Sequence, residues 1–79
     1  MSDRDAETEQ YISECIGPRI VGTRWKSYYF GDEVTVLAVH NPDSRGAWSI
    51  TEATDEELAR NRLRTHCTPW DHRDRVITQ

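Results

Sequence analysis

The stretch Glu33-Val34-Thr35-Val36-Leu37-Ala38-Val39-His40 decides the fold. Its β-branched residues suit a pleated, half-buried surface. As a strand it places Val34, Val36 and Ala38 on one face and Thr35, Leu37 and Val39 on the other. Apolar side chains on both faces predict a central strand covered on both sides.

The flanking segments supply partners for it. Asn41-Pro42-Asp43-Ser44-Arg45-Gly46 is a cluster of turn formers. Residues 47–52 (AWSITE) then alternate, with Trp48 and Ile50 on one side, and read as another strand. On the other flank, residues 19–30 (RIVGTRWKSYYF) are β-branched and aromatic. They predict a strand, bulged near Gly22, that joins residues 33–40 through a tight hairpin at Gly31-Asp32.

Helices are expected outside this meander. In residues 6–16 (AETEQYISECI), Tyr11, Ile12, Cys15 and Ile16 recur at helical spacing, and Glu7 and Glu9 favour the positive end of the helix dipole. A strand at 10–16 competes, because Tyr11, Ser13 and Cys15 also alternate. Gly17-Pro18 stops the segment. Thr54-Asp55-Glu56-Glu57 fits a capping box, in which Thr54 caps free amides and Glu57 reaches back. That helix is expected to run to about residue 65, with Leu58, Ala59 and Leu63 as its apolar stripe and Glu56 paired to Arg60. Thr68-Pro69 ends it, residues 70–75 form a polar loop around Trp70, and Val76-Ile77-Thr78 is a short last strand.

The fold class is therefore α+β. One small domain, residues 6–79, follows a flexible acidic tail at 1–5. It comprises a three-stranded antiparallel meander, N-terminal and C-terminal helices on one sheet face and a short last strand. A closed alternative is a small SH3-like barrel with the 54–66 helix inserted before the last strand. The expected core is Val34, Val36, Leu37, Val39, Trp48, Ile50, Leu58 and Leu63.

Size and charge narrow the function. A chain of 79 residues allows one domain with a thin stability margin. The net charge of −4 argues against a uniformly basic nucleic-acid binder. Charge is unevenly spread: residues 1–14 hold five acids and one base, and residues 58–79 hold two acids and five bases. All the basic residues except Lys26 are arginines, the side chain suited to planar, bidentate contacts. No apolar run is long enough to span a membrane, and the opening MSDRDAETEQ has no apolar core of an export signal. A cytoplasmic protein with free thiols is expected.

Catalytic and metal signals are weak. Cys15, His66, Cys67 and His72 have the chemistry of zinc ligands but not a standard spacing, so no metal and no cofactor are expected. Cys15 and Cys67 read instead as small core residues on two helices, and His66 and His72 as surface groups. A Cys67 nucleophile with His66 or His72 lacks a Gly-rich oxyanion segment. Glu33, Glu52, Asp71 and Asp74 read as solvated carboxylates.

The aromatics say more. Alternation through residues 19–30 sends Trp25 and Tyr29 to one face and Tyr28 and Phe30 to the other. Exposed aromatics and arginines are the enriched anchors of binding surfaces. The expectation is a non-catalytic protein-binding module, accessory, regulatory or inhibitor-like, with Tyr28, Phe30, Trp70, Arg73, Arg60 and Arg64 as anchors. Trp70 can alternatively fold back to close the core. The competing expectation is nucleic-acid binding through Arg24, Lys26, Arg60, Arg62, Arg64, Arg73 and Arg75, with Trp25 and Tyr28 stacking on bases. Arginines paired to Glu56, Asp71 and Asp74 would count against that alternative.

Overall fold

A computed structural model describes residues 6–40, 42 and 47–79. The expected tail at 1–5 and, apart from Pro42, the turn at 41–46 lie outside the described residues. The elements run α1 (Ala6–Ile16), β1 (Arg24–Lys26), β2 (Glu33–His40), β3 (Ser49–Ala53), α2 (Asp55–Ala59), β4 (Arg64–His66) and β5 (Arg75–Thr78). The strands form one antiparallel sheet in the order β4-β3-β2-β1-β5.

β2 occupies the centre of the sheet with the bounds its sequence implies, but it is not covered equally on both faces. Val36 pairs with Glu52 and Ala38 pairs with Thr51, so Leu37 is an extra, bulged residue. The bulge shifts the alternation by one. Val39 thereby joins Val34 and Val36 in packing against the core. The opposite face carries small and hydroxyl side chains, and the hydroxyls of Thr51 and Thr65 lie 2.8 Å apart across β3 and β4.

The core lies between that sheet face and α1. Ile12 and Cys15 of α1 pack with Trp25, Val34, Val36, Trp48 and Ile50, and Ile16, Val39 and Trp70 close around them. α1 is the helix that the Ile12/Cys15 spacing implies, not the competing strand.

The expected strand at 19–30 shrinks to three residues because turns interrupt it at both ends. The Thr23 amide donates to the Ile20 carbonyl at 2.9 Å, with Gly22 at φ +95° where an L side chain is strained. Downstream, the Gly31 amide closes onto the Ser27 carbonyl at 2.8 Å. The connection from β1 to β2 is therefore a wide turn over 27–32, not a tight hairpin at Gly31-Asp32. The alternation expected for Tyr28, Tyr29 and Phe30 is lost with the strand, and all three are exposed.

α2 starts as expected. The Thr54 hydroxyl accepts from the Glu57 amide at 3.1 Å, and Glu57 accepts from the Thr54 amide at 2.9 Å. It ends much sooner than residue 65. Asn61 takes a left-handed φ of 55°, the Arg62 amide donates to the Glu57 carbonyl at 2.8 Å, and the Asn61 amide donates to the Leu58 carbonyl at 3.0 Å. This paired arrangement is a Schellman stop, with Asn in the place glycine often takes. Residues 64–66 become an unexpected edge strand. Leu58 and Leu63 are consequently 40% and 52% exposed and are not core. The closed-barrel alternative fails too, because β4 and β5 lie at opposite edges of an open sheet.

The expected core thus divides into residues that carry stability and residues that do not. Ile50→Ala should cost about 2–5 kcal/mol, since Ile50 is fully enclosed. Leu63→Ala should stay within about 1 kcal/mol. Urea unfolding midpoints of the two variants check this, and a larger loss for Leu63 would contradict the short helix.

Candidate functional site

The β1–β2 turn (27–32) and the β4–β5 connector (67–74) face each other across a cleft of about 410 Å³. Tyr29, Phe30, Trp25, Pro69 and Trp70 supply apolar lining, and Glu52, Arg64, His66 and Thr68 supply polar groups. Concave, mostly apolar sites with a few converging polar groups are the usual form of binding sites.

The polar floor is a hydrogen-bonded chain. Glu52 on β3 is 1% exposed. Its Oε1 accepts from the Trp25 indole at 2.9 Å, and its Oε2 lies 2.6 Å from His66 Nε2. His66 Nδ1 in turn lies 3.1 Å from the Thr68 hydroxyl. The order carboxylate, imidazole, hydroxyl fixes the ring between two partners. It leaves neither ring nitrogen without an internal contact.

Behind this floor lies Arg19, also 1% exposed. Its Nε donates to the Ile16 carbonyl at 2.8 Å, and one terminal nitrogen donates at 2.7 Å to the carbonyls of both Cys15 and Thr68. It therefore caps the C-terminus of α1 and ties that end to the β4–β5 connector. The guanidinium carbon lies 5.1 Å from the Trp25 ring and 5.7 Å from the Trp70 ring, within cation–π range. Nη1 has no hydrogen-bond partner among the described residues. Burial pulls the proton affinity of Arg19 down, and the nearby Glu52 carboxylate opposes this. Trp70 packs at 5.4 Å on Trp25, and its amide donates to the Cys15 carbonyl. Gly17 sits beneath it, where an added Cβ would come within 2.6 Å of the indole.

Ion pairs hold the rim. Arg73 clasps Asp71 at 2.9 and 3.1 Å, donates to the Tyr29 hydroxyl at 2.6 Å, and lies 4.2 Å over the Tyr28 ring. The Asp74 carboxylate accepts from the amides of Tyr28 and Asp71, at 2.8 and 2.9 Å, and so joins turn to connector. Arg64 bridges Asp32 at 3.0 Å and Glu57 at 2.8 Å, fastening α2 to the turn. Arg73, through its side chain and its amide, holds the Asp71 carboxyl down at about 2 from an ordinary 3.8. Arg64, then the Thr54 amide, lowers Glu57, and Arg24 lowers Asp55.

Of the expected anchors, Phe30 and Trp70 line the cleft, whereas Tyr28 and Arg73, stacked at 4.2 Å, line a separate hollow across the turn. Arg64 reaches the cleft wall, whereas Arg60 is elsewhere, paired to Glu56 at 3.1 Å on α2. The four residues weighed as zinc ligands do not converge, and no group of three or more potential ligands occurs among the described residues. Cys15 is buried on α1, but Cys67 is exposed and follows β4, so the pair is not helical core. Glu52 and Asp74 are not solvated carboxylates, and His66 is built into the floor. Glu52 shares strand parity with Trp48 and Ile50, which marked it as inward-facing in the sequence. Nothing local marked Arg19.

No family model, characterised protein or solved structure matches the chain. Among the described residues, no helix is long and apolar enough to cross a membrane.

Three outcomes follow from this geometry. Arg19→Met removes donors from three carbonyls and should cost about 3 kcal/mol or more, a large share of a small domain's stability. Arg19→Lys should recover only part of it, because one ammonium cannot reproduce the planar fork. Thermal unfolding followed by tryptophan fluorescence reads both, and an unchanged midpoint for Arg19→Met would refute the latch. Asp71 has a folded pKa below its unfolded one, so its contribution is complete above about pH 3.8 and disappears as pH falls toward about 2. Asp71→Asn should therefore lower the melting temperature at neutral pH, and the gap from wild type should close near pH 2. A gap constant across that range would contradict the pairing.

Proposed function

We propose that the chain is a small, non-catalytic protein-recognition module of accessory or regulatory type, which takes a bulky apolar side chain of its partner into the cleft between the 27–32 turn and the 67–74 connector. The observation that carries this reading is the exposure of Tyr28, Tyr29 and Phe30, at 56%, 67% and 72%, on a turn held by Asp74 and Arg73. Large apolar side chains displayed on a braced support lose little freedom on binding, as hot-spot residues require. Glu52, His66 and Thr68, bonded to one another, would form a fixed floor beneath the ligand.

The nucleic-acid alternative draws on the same aromatics but finds four of its seven basic residues engaged. Arg24 pairs with Asp55 and Glu33, Arg60 with Glu56, Arg64 with Asp32 and Glu57, and Arg73 with Asp71. Trp25 is buried and cannot stack on a base.

Peptide display against the folded chain tests the reading. Selected peptides should share a bulky apolar residue, and Phe30→Ala should weaken them at least tenfold, about 1.4 kcal/mol, with the melting temperature unmoved. Peptides that bind Phe30→Ala as well as wild type would sink it.

A further inference from the structure

Most cations among the described residues are spent internally. Among the described residues, Arg24, Arg60, Arg64 and Arg73 each contact a carboxylate, and Arg19 is enclosed. Among the described residues, Lys26, Arg62 and Arg75 have no such partner and are exposed, and two of them, Lys26 and Arg75, meet. These two are directly opposite each other, Lys26 on β1 and Arg75 on β5. Directly opposed side chains on antiparallel strands have Cβ atoms about 5 Å apart, and like charges there are unfavourable. Lys26 has Glu33 as its other cross-strand neighbour, but that carboxylate turns to Arg24 at 3.4 Å.

The two cations open onto a hollow of about 270 Å³ that Ser27, Tyr28, Gly31 and Arg73 complete, with no carboxylate in its lining. The same 27–31 turn separates this hollow from the apolar cleft, and Ser27 lines both. An anion placed there would relieve a repulsion that the fold leaves standing.

We propose that this hollow binds acidic side chains of a peptide, so that the partner segment carries carboxylates next to the bulky apolar residue that enters the cleft. The apolar half rests on the recognition reading above, and the acidic half does not. A short acidic peptide suits the site better than a nucleic acid. Polyanion affinity grows with the number of phosphates neutralised, and only two unpaired cations meet here on a chain of net charge −4. Charges at an interface rim act mainly on encounter rate and selectivity, and are screened by salt.

The test uses the full chain and defined probes. N-acetyl-tetraglutamate, which has no apolar residue, is titrated in by two-dimensional amide NMR. It should move the Lys26 and Arg75 signals, and added salt should reverse the shift. A fluorescent pentapeptide with phenylalanine between glutamates should bind at least tenfold more tightly than its lysine counterpart, and Lys26→Gln/Arg75→Gln should erase that preference. Tetraglutamate shifts that are absent, or centred away from these residues, would overturn the proposal. So would tighter binding of a single-stranded oligonucleotide at the same site. Phenylalanine peptides that bind regardless of flanking charge would overturn this inference and leave the recognition reading intact. Tetraglutamate binding with no gain from phenylalanine would do the reverse.

Discussion

The guanidinium of Arg19 is the interaction on which the rest of the structure depends. A helix ends with carbonyls that have no partner within it, and at α1 that end is turned into the protein. Arg19 follows the helix stop by two residues and supplies donors to the carbonyls of Cys15 and Ile16. With the same fork it reaches Thr68, far along the chain, and so holds the β4–β5 connector against α1. A buried charge is costly unless it is hydrogen-bonded; three carbonyls fill Nε and Nη2 of Arg19, while Nη1 has no hydrogen-bond partner among the described residues. Trp25 and Trp70 provide ring faces on either side, and Glu52 lies close enough to oppose the effect of burial. Gly17 belongs to the same constraint, because a side chain there would occupy the volume of the Trp70 ring.

The cleft follows from this latch. Trp70 is held against Trp25 by the connector that Arg19 secures, and Trp25 presents its indole N–H to Glu52. Glu52 then aligns His66, and His66 meets Thr68, which returns to Arg19 through its carbonyl. The cleft floor and the core thus share one closed circuit of polar contacts. A domain of this size cannot bury enough apolar surface to fix its loops by packing alone. Here the two loops that frame the cleft are joined by Asp71, Arg73, Asp74 and Arg64 instead. Surface ion pairs contribute little individually, but a linked set that fastens backbone amides restricts the loops it spans.

Much of the architecture was legible locally. β2, α1, the Thr54 cap and the last strand follow from periodicity, dipole placement and turn residues that neighbour one another in the chain. The extent of α2 did not follow, because Leu58 and Leu63 mimic an apolar stripe while Asn61 adopts a left-handed backbone that glycine would have advertised. The strand at 19–30 looked continuous because its composition is β-like throughout. Gly22 and the Ser27 turn break it, and the residues so released become the aromatic rim. Trp70 folds back against the core, the second of the two placements its isolation in the sequence left open. Glu52 was legible only through its parity with Trp48 and Ile50, which the many other acids of the chain obscured.

The sequence by itself determined the short-range elements: which residues form a helix, where a cap begins, and that residues 33–40 form the central strand. Those outcomes depend on interactions within a few residues, where side-chain spacing and backbone preference are enough. Tertiary structure alone decided that α2 stops to free a fifth strand, that Leu37 bulges and turns Val39 inward, and that Arg19 is interior. It also decided that Arg24, Arg60, Arg64 and Arg73 are paired with carboxylates while Lys26 and Arg75 are left facing each other. Each of these depends on which distant group lies opposite, a carbonyl, a ring or a carboxylate, and one-dimensional spacing carries no record of that.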